Sequence, residues 1–471
     1  MQTNILNNDT ICAIATPHGM GAIATVRVSG AKAFPIVADL FQNRGNYLEI
    51  SEIISHKAYH GHLINRGEVL DEVLVTFFKA PHSFTGEDSV EISVHGSVFV
   101  QQKLLQVLIA NGCRMAEAGE FTRRAFVNGK FDLAQAEAIA DLISSENEAA
   151  HRVAINQLKG GFSKELQVLR SKLLEMTSLM ELELDFSEED VEFADRSQLK
   201  ALLQDILSKV NTLRDSFRLG NAIKNGIPVA IVGQTNTGKS TLLNALLGEE
   251  RAIVSDIAGT TRDTIEETLN INGILFRFID TAGLRETEET IEKIGIERSY
   301  RKIAEATVVI GMLDATKDAE NLLLAAHEIL ERIDLEHQQL ILCINKVDTL
   351  DDQGEALLGQ LRADLDNDEI MVICLSAKHK FGLNDLYNTL KHSQPLSYPD
   401  ATLVTNVRHF EALTHASKAL LQVKQGLEMN IPTDLVSQDL REALHHLGTI
   451  TGEITTDEVL GSIFSRFCIG K

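Results

Sequence analysis

The run Gly233-Gln234-Thr235-Asn236-Thr237-Gly238-Lys239-Ser240 narrows what this chain can fold into more than any other feature. It fits the phosphate-binding pattern G-x-x-x-x-G-K-[ST]. It also has the context that pattern needs, with an apolar strand-like stretch before it (IPVAIVG, from Ile227) and a helix-like stretch after it (STLLNALLG, to Gly248). Glycines let successive backbone N–H groups turn inward on phosphate oxygens, and the start of the following helix adds partial positive charge. In such a loop Lys239 reaches the β- and γ-phosphates and the Ser240 hydroxyl ligates Mg²⁺, while Thr237, Gly238 and Thr241 belong to the same cradle. The plain alternative is a glycine-containing strand–helix turn with a lysine there by chance.

Three further motifs follow in order. Asp280-Thr281-Ala282-Gly283 comes after the strand-like FRFID, placing a carboxylate at a strand end for the Mg²⁺ shell and a glycine N–H for the γ-phosphate. The run LILCI leads into Asn345-Lys346-Val347-Asp348. Asp348 can accept from both N1–H and the 2-amino group of guanine, whereas adenine has an acceptor at N1 and no 2-amino donor. A buried mismatch of that kind discriminates because polar groups are left unpaired. Ser376-Ala377-Lys378 follows EIMVICL and offers a backbone contact to the guanine O6. Each motif alone could be an ordinary turn. Four in this order, each behind a strand-like run, imply an α/β P-loop domain with GTP as substrate.

The hydrolytic equipment departs from the commonest design. Ras-type GTPases orient the attacking water with a glutamine directly after the D-x-x-G motif. Here that residue is Leu284, which cannot hydrogen-bond water. Asn236 offers a carbonyl oxygen beside the β/γ-phosphates, where a monovalent cation could replace an arginine finger. The loop Ser255, Asp256, Ile257, Ala258, Gly259, Thr260 and Thr261 adds backbone carbonyls and hydroxyls, the oxygen cage a hard cation wants. Glu292 is the best-placed carboxylate to orient water. Spacing alone favours a solvated helix face for it, because Glu286, Glu288 and Glu289 crowd the same segment.

At 471 residues the chain is long enough for two to four domains. No apolar run approaches the roughly 20 residues that span a bilayer, and the opening MQTNILNNDTICAIA lacks the basic start of a signal peptide and the Arg enrichment of a transit peptide. A cytoplasmic protein without membrane contact is expected. A formal net charge of −23 argues against a simple electrostatic nucleic-acid binder, so work on RNA would need a local basic surface or a basic partner. The five cysteines show no metal-ligand spacing, and the odd count fits reduced thiols. Cys343 and Cys374 lie in apolar strand runs and are expected in the core. Cys468 stands in a terminal CIGK that superficially resembles a prenylation box, but Lys471 is a poor last residue for one and no polybasic segment precedes it.

The chain divides by pattern into a multidomain protein. Residues 1–120 alternate β-rich runs (TICAIAT, AIATVRVSG, EVLVTFFKA, SVEISVHG) with helical stretches such as VQQKLLQVLIANG, which reads as an α+β domain. Asp132-Leu133-Ala134-Gln135 then reads as a capped helix start, and helical periodicity persists through residue 219. The GTPase motifs occupy 220–392. Helical periodicity resumes over 393–471, in FEALTHASKALLQVKQGLEM and DLVSQDLREALHHLGTI. An all-α helical domain (121–219 with 393–471) interrupted by an inserted GTPase domain accounts for this order, since domain termini usually lie close together.

With these segments in view, the chain resembles the MnmE/TrmE family of tRNA-modifying GTPases. The residues that carry the resemblance span its length: DTICAIATPHGMGAIATVRVSG, FTGEDSVEISVHG, AGEFTRRAFVNGKFDLAQAEAIADLI, GQTNTGKSTLLNALLG, SDIAGTTRD, DTAGLRE and the terminal FCIGK. The resemblance implies a homodimer through an N-terminal domain that binds a tetrahydrofolate derivative, in the 5-formyl or 5,10-methylene form. It also implies an MnmG/GidA-type flavoprotein partner and addition of an aminomethyl or carboxymethylaminomethyl group to C5 of the tRNA wobble uridine.

Carried over by position, the resemblance assigns folate contacts to Arg27, Glu91, Lys130 and Lys471. It assigns K⁺ to Asn236, Ser255, Ile257 and Thr260, Mg²⁺ to Ser240 and Thr261, and water activation to Glu292. Arginine and lysine suit the carboxylates of a glutamate tail, and Glu91 can accept from the pterin amino group and ring N–H. Spacing alone would make Arg27 and Glu91 strand-surface charges. Ser255 stands where the family usually has Thr, and GQTNTGKS stands for the usual G-x-P-N-x-G-K-S. Neither change removes an oxygen ligand. Cys468 matches the family's terminal cysteine, and two readings of it stand: a thiolate that adds to the uridine ring, which needs a lowered pKa, or a structural residue. A second functional class, a GTP-driven ribosome-assembly switch, shares the central motifs. Such switches usually carry an RNA-binding module, often basic, whereas this chain carries an acidic helical frame and a folate-like N-terminal domain.

Overall fold

The computed structural model describes residues 9–185, 196–248, 267–271, 274–279, 306–335, 338–349, 370–392, 402–429, 431–465, 467 and 470. They group into two compact units, one built from Met1–Ile143, Asn156–Ser208 and Ala412–Lys471, the other from Ser144–Ile155 and Lys209–Glu411.

The first unit holds an eight-stranded sheet: β1 (Thr10–Ile14), β2 (Ile23–Ser29), β3 (Phe41–Asn43), β4 (Asn46–Tyr47), β5 (Ala58–Asn65), β6 (Glu68–Phe78), β7 (Ser89–His95) and β8 (Cys113–Met115). Their spatial order is β4-β3-β5-β6-β7-β2-β1-β8. All neighbours are antiparallel except β1 and β8. Alternation in the sequence sets which face is buried. Along β5, Tyr59 and Leu63 turn into the core while His60 and His62 face outward, the pattern of a sheet with one covered side. Val26, Val28, Val75, Phe77, Val90 and Ile92 line the covered face beneath the helices Ala33–Leu40 and Val98–Ala110. Each such fully buried side chain contributes about 1.5–3 kcal/mol. Gly61 is dictated by close approach, since a Cβ there would lie 2.1 Å from Gln42 O and 2.8 Å from the Phe41 ring.

The helical part of this unit begins at the expected cap. Gln135 N donates to Asp132 Oδ1 (2.9 Å) and Asp132 N donates to Gln135 Oε1 (3.0 Å), a reciprocal capping box opening the helix Leu133–Ile143. The helices Gly161–Asp185 and Thr433–Thr451 pack together, with Leu166, Leu169, Leu173 and Met176 forming the buried stripe of the first. Arg170 pairs with Glu453, just past the end of the second helix, and Lys172 with Asp205 (2.6 Å) on the helix Arg196–Asp215.

The second unit holds a six-stranded sheet: β9 (Ile227–Gly233), β10 (Glu267–Ile271), β11 (Ile274–Phe278), β12 (Val308–Asp314), β13 (Gln339–Asn345) and β14 (Met371–Leu375). The order is β10-β11-β9-β12-β13-β14, parallel except for the β10–β11 edge pair. β12 (VVIGMLD) and β13 (QLILCIN) are buried almost end to end, as parallel strands covered on both faces must be. β9 pairs with β11 on one side and β12 on the other, so the loop leaving its C-terminal end stands at the switch point where such sheets bind ligands. The α+β, all-α and α/β P-loop components expected from the sequence are therefore all present.

One expectation is corrected. Cys343 is fully buried, but Cys374 is only half-buried. β13 has neighbours on both sides, whereas β14 is the edge strand. Among the described residues no helix is long and apolar enough to cross a membrane.

Candidate functional site

The loop after β9 is shaped by three residues in the left-handed region. Gly233 has φ +148°, and a Cβ there would lie 2.4 Å from Met312 O. Asn236 has φ +63°, a conformation asparagine tolerates better than most side chains. Gly238 has φ +96° and caps the helix Lys239–Leu247; a Cβ on it would come within 2.2 Å of Asn345 Nδ2. Lys239 Nζ folds back over this loop and donates to Gly233 O (2.9 Å) and Gln234 O (2.8 Å), while Thr237 Oγ1 donates to Gln234 O (2.9 Å). Burial pushes the Lys239 ammonium below the ordinary lysine range. Ser240 and Thr241 lie in the first turn of the helix, whose free N–H groups favour anions.

Asn345 ties three of the sequence motifs together. At the end of β13 and almost fully buried, it donates from Nδ2 to Thr237 O (2.8 Å) and accepts at Oδ1 from Ala377 N (2.9 Å). Ser376 and Phe381 exchange backbone hydrogen bonds (3.0 and 3.2 Å) that close the loop carrying Ala377 and Lys378. The Ser376 hydroxyl holds the Asp348 carboxyl below its usual range, helped by the nearby His379 and Lys378; His379 Nε2 stands 3.5 Å from Asp348 Oδ2. The result is an ionised acceptor beside two backbone-rigid loops, suited to a planar base presenting adjacent N–H donors.

The N-terminal candidates also meet. Arg27 on β2 and Glu91 on β7 are directly opposite in register. Arg27 Nε and Nη2 both donate to Glu91 Oε1 (3.0 and 2.7 Å), and the guanidinium lies over the rings of Phe84 (5.0 Å) and Phe121 (5.7 Å). Its Nη1 is 3.5 Å from Gly470 O, so the C-terminal segment reaches this point. Lys130 Nζ donates to Pro81 O (2.9 Å), and its stem passes close to Gly86. The loop from Pro81 to Gly86 thus touches Arg27 through Phe84 and Lys130 directly.

Sequence reasoning missed the charge network behind this group. Arg124 bonds Asp9 Oδ1 (2.7 Å), Glu120 Oε1 (3.0 Å) and Glu87 (3.3 Å), and Arg114 bonds Asp9 Oδ2 and Glu120 Oε1 (both 2.7 Å). Burial pushes the Glu120 carboxyl up, but Arg114, the Glu117 N–H and Arg124 outweigh it and hold it below its usual range; the two arginines do the same for Asp9. Glu87 also accepts from Ser29 (2.9 Å), which anchors the Pro81–Gly86 loop to β2. The arginines of TRRAF were in view in the sequence, but nothing in spacing says which acids they meet. Glu292, Cys468, Lys471, the stretch Ser255–Thr261 and Asp280 through Gly283 lie outside the described residues.

Comparison with known proteins by sequence covers almost the whole chain. The family model described as MnmE helical domain matches residues 133–468, and that described as GTP-binding protein TrmE N-terminus matches residues 10–130. A Bacteroides fragilis protein named tRNA modification GTPase MnmE is 52% identical over 99% of this chain and 100% of its own. The chain belongs to the MnmE/TrmE family. A second member of the family, from Flavobacterium johnsoniae, is 50% identical over 99% of this chain and all of its own length. Among solved structures, Era of Aquifex aeolicus bound to GDP.AlF4- is 30% identical, covers 41% of this chain and 66% of its own, and has a TM-score of 0.28. As a member of the MnmE/TrmE family the chain is a GTPase of tRNA modification.

Proposed function

We propose that this chain is the GTP-hydrolysing component of wobble-uridine C5 modification in tRNA, adding an aminomethyl or carboxymethylaminomethyl group together with a flavoprotein of the MnmG/GidA type. The observation that carries the reading is the end-to-end match to relatives named tRNA modification GTPase, made by a chain whose phosphate loop and Ser376–Lys378 loop are both hydrogen-bonded to Asn345.

In the GTPase unit, the N–H groups of the P-loop and the Lys239 ammonium hold the phosphates, and Asp348, Ala377 and Lys346 hold the base. By this reading the Ser240 hydroxyl with Thr261 would hold Mg²⁺, and Asn236 with Ser255, Ile257 and Thr260 would hold K⁺. Bound there, the two ions supply positive charge to the bridging and γ-phosphate oxygens. Glu292 orients the attacking water, and Asp280 and Gly283 bound the γ-phosphate side.

In the N-terminal unit the residues present fit a reduced folate. Arg27 Nε and Nη2 both donate to Glu91 Oε1, so Glu91 Oε2 has no partner among the described residues and can accept from a pterin donor. Lys130 and Lys471 supply cations for a carboxylate tail. A 5-formyl or 5,10-methylene tetrahydrofolate supplies the one-carbon unit. The chain works as a cytoplasmic homodimer, with the GTPase stimulated by K⁺ when its two copies close on each other.

Nucleoside analysis of tRNA from a strain lacking this protein tests the reading. Loss of the C5-modified wobble uridines with an unchanged ribosome profile is expected. Intact nucleosides with accumulated ribosomal precursors would replace it with the assembly-switch reading.

A further inference from the structure

We propose that Asp314 is a positioning residue for guanine recognition: by anchoring the Lys346 ammonium, it fixes the Lys346 stem as the apolar wall against which the base is laid. This rests on reading Asn345–Asp348 as the guanine pocket. Asp314 ends β12 directly opposite Asn345, the last residue of β13. Its two oxygens have separate tasks. Oδ1 accepts from Thr316 N (3.1 Å) and Thr316 Oγ1 (2.8 Å), and Oδ2 accepts from Lys346 Nζ (2.7 Å). The carboxylate is 12% exposed and the lysine 35%, so the pair is partly shielded from water.

The backbone explains why an anchor is needed here. Asn345 has both ends of its side chain committed, to Thr237 O and Ala377 N, so the chain must turn sharply after it. Lys346 takes φ +69°, the left-handed region that side chains other than Gly, Asn and Asp rarely occupy. Thr349 N (3.0 Å) and Thr349 Oγ1 (2.7 Å) donate to Lys346 O and hold that turn. Those bonds fix the backbone and leave the long side chain to its rotamers. Tethering the ammonium stretches four methylenes between the end of β12 and a backbone two residues from Asp348. A lysine commonly buries its stem along an apolar surface while its charge is satisfied elsewhere, and a base ring is such a surface.

Fluorescence titration of the full-length chain with N-methylanthraniloyl-GDP tests this, with tripolyphosphate as a competitor that engages the phosphate loop alone. Asp314→Ala should raise Kd for the guanine probe about tenfold, the size of one charge-assisted contact at a partly exposed site. Lys346→Met, which keeps a stem without the ammonium, should lose about as much, and the double variant little more than either, because the two groups act as one unit. Tripolyphosphate affinity should hold in all three, and in steady state the loss should fall on KM for GTP rather than kcat. Asp314→Asn, which keeps one oxygen and loses the charge, should fall between wild type and Asp314→Ala, and Lys346→Met, which leaves Asp314 and Thr316 untouched, decides the matter if Asp314→Ala does not fold. An unchanged Kd, fully additive losses, or equal weakening of tripolyphosphate would overturn the assignment. The pocket reading is tested separately by Asp348→Asn, which should shift preference from GDP to XDP; a failure there counts against the pocket and not against the Asp314–Lys346 coupling.

Discussion

Asn345→Ala removes both hydrogen bonds that tie the phosphate loop to the Ser376–Lys378 loop. The methyl side chain leaves Thr237 O without its Asn345 donor and Ala377 N without its acceptor. Both residues are buried, Thr237 at 4% exposure and Ala377 at 2%, so water does not readily replace the lost partner. A buried polar group stripped of its bond costs about 1–3 kcal/mol, which puts the pair at about 2–6 kcal/mol. Where the loss falls on folding, it lowers the melting temperature by about 2–4 °C per kcal/mol for a unit of this size. Where it falls on the nucleotide-bound form, even the lower end weakens GDP binding about 30-fold. Melting curves with and without GDP, together with a GDP titration, capture both shares. Asn345→Asp should fall between wild type and alanine, since a carboxylate still accepts from Ala377 N but cannot donate to Thr237 O. A variant with unchanged melting and GDP affinity within threefold of wild type would show that the two loops do not depend on Asn345.

Further outcomes follow from the same structure. Asp348→Asn should weaken GTP and favour XTP, whose C2 carbonyl accepts from the new amide; equilibrium binding with both nucleotides reads the switch. GTP hydrolysis should be much faster in KCl than in NaCl at equal ionic strength, and Asn236→Ala should remove that difference while leaving nucleotide affinity largely intact. Arg27→Ala should weaken tetrahydrofolate binding by about 1.5–3 kcal/mol in calorimetry, because it frees Glu91 from its orienting partner as well as removing a cation. The Asp9 and Glu120 carboxyls are held below their ordinary values, so the stability they contribute is present above the unfolded carboxyl pKa of about 4 and is lost as pH falls through their lower folded values. Acid unfolding followed by near-ultraviolet circular dichroism should show that loss. Arg124→Met should already be destabilised at neutral pH by about 3–5 kcal/mol, the cost of breaking a buried pair.

Much of the nucleotide unit was legible in the sequence because its constraints are local. Glycines at 233 and 238 answer positive φ and close approach, and each motif follows an apolar run that folds as a strand, so the types alone place the loops. The Asp132–Gln135 cap was legible for the same reason, with both partners inside one turn. Relations set by strand register were not. Arg27 and Glu91 are 64 residues apart, and only the antiparallel pairing of β2 with β7 makes them neighbours. Arg124 meets Asp9 across 115 residues, and Lys346 meets Asp314 because β12 and β13 end level. Cys374 was misplaced because an apolar run does not say whether its strand is central or at an edge.

On the proposed function, the chain that hydrolyses GTP is also required for modification of the tRNA wobble uridine. The most direct measurement is the wobble-nucleoside profile of a strain lacking the protein, complemented either by the wild-type chain or by Lys239→Ala at matched expression. Wild type should restore the C5-modified uridines, and Lys239→Ala, without the cation that folds over the phosphate loop, should leave them unmodified although its N-terminal unit is intact. Full restoration by a Lys239→Ala chain shown to lack GTPase activity would contradict the account.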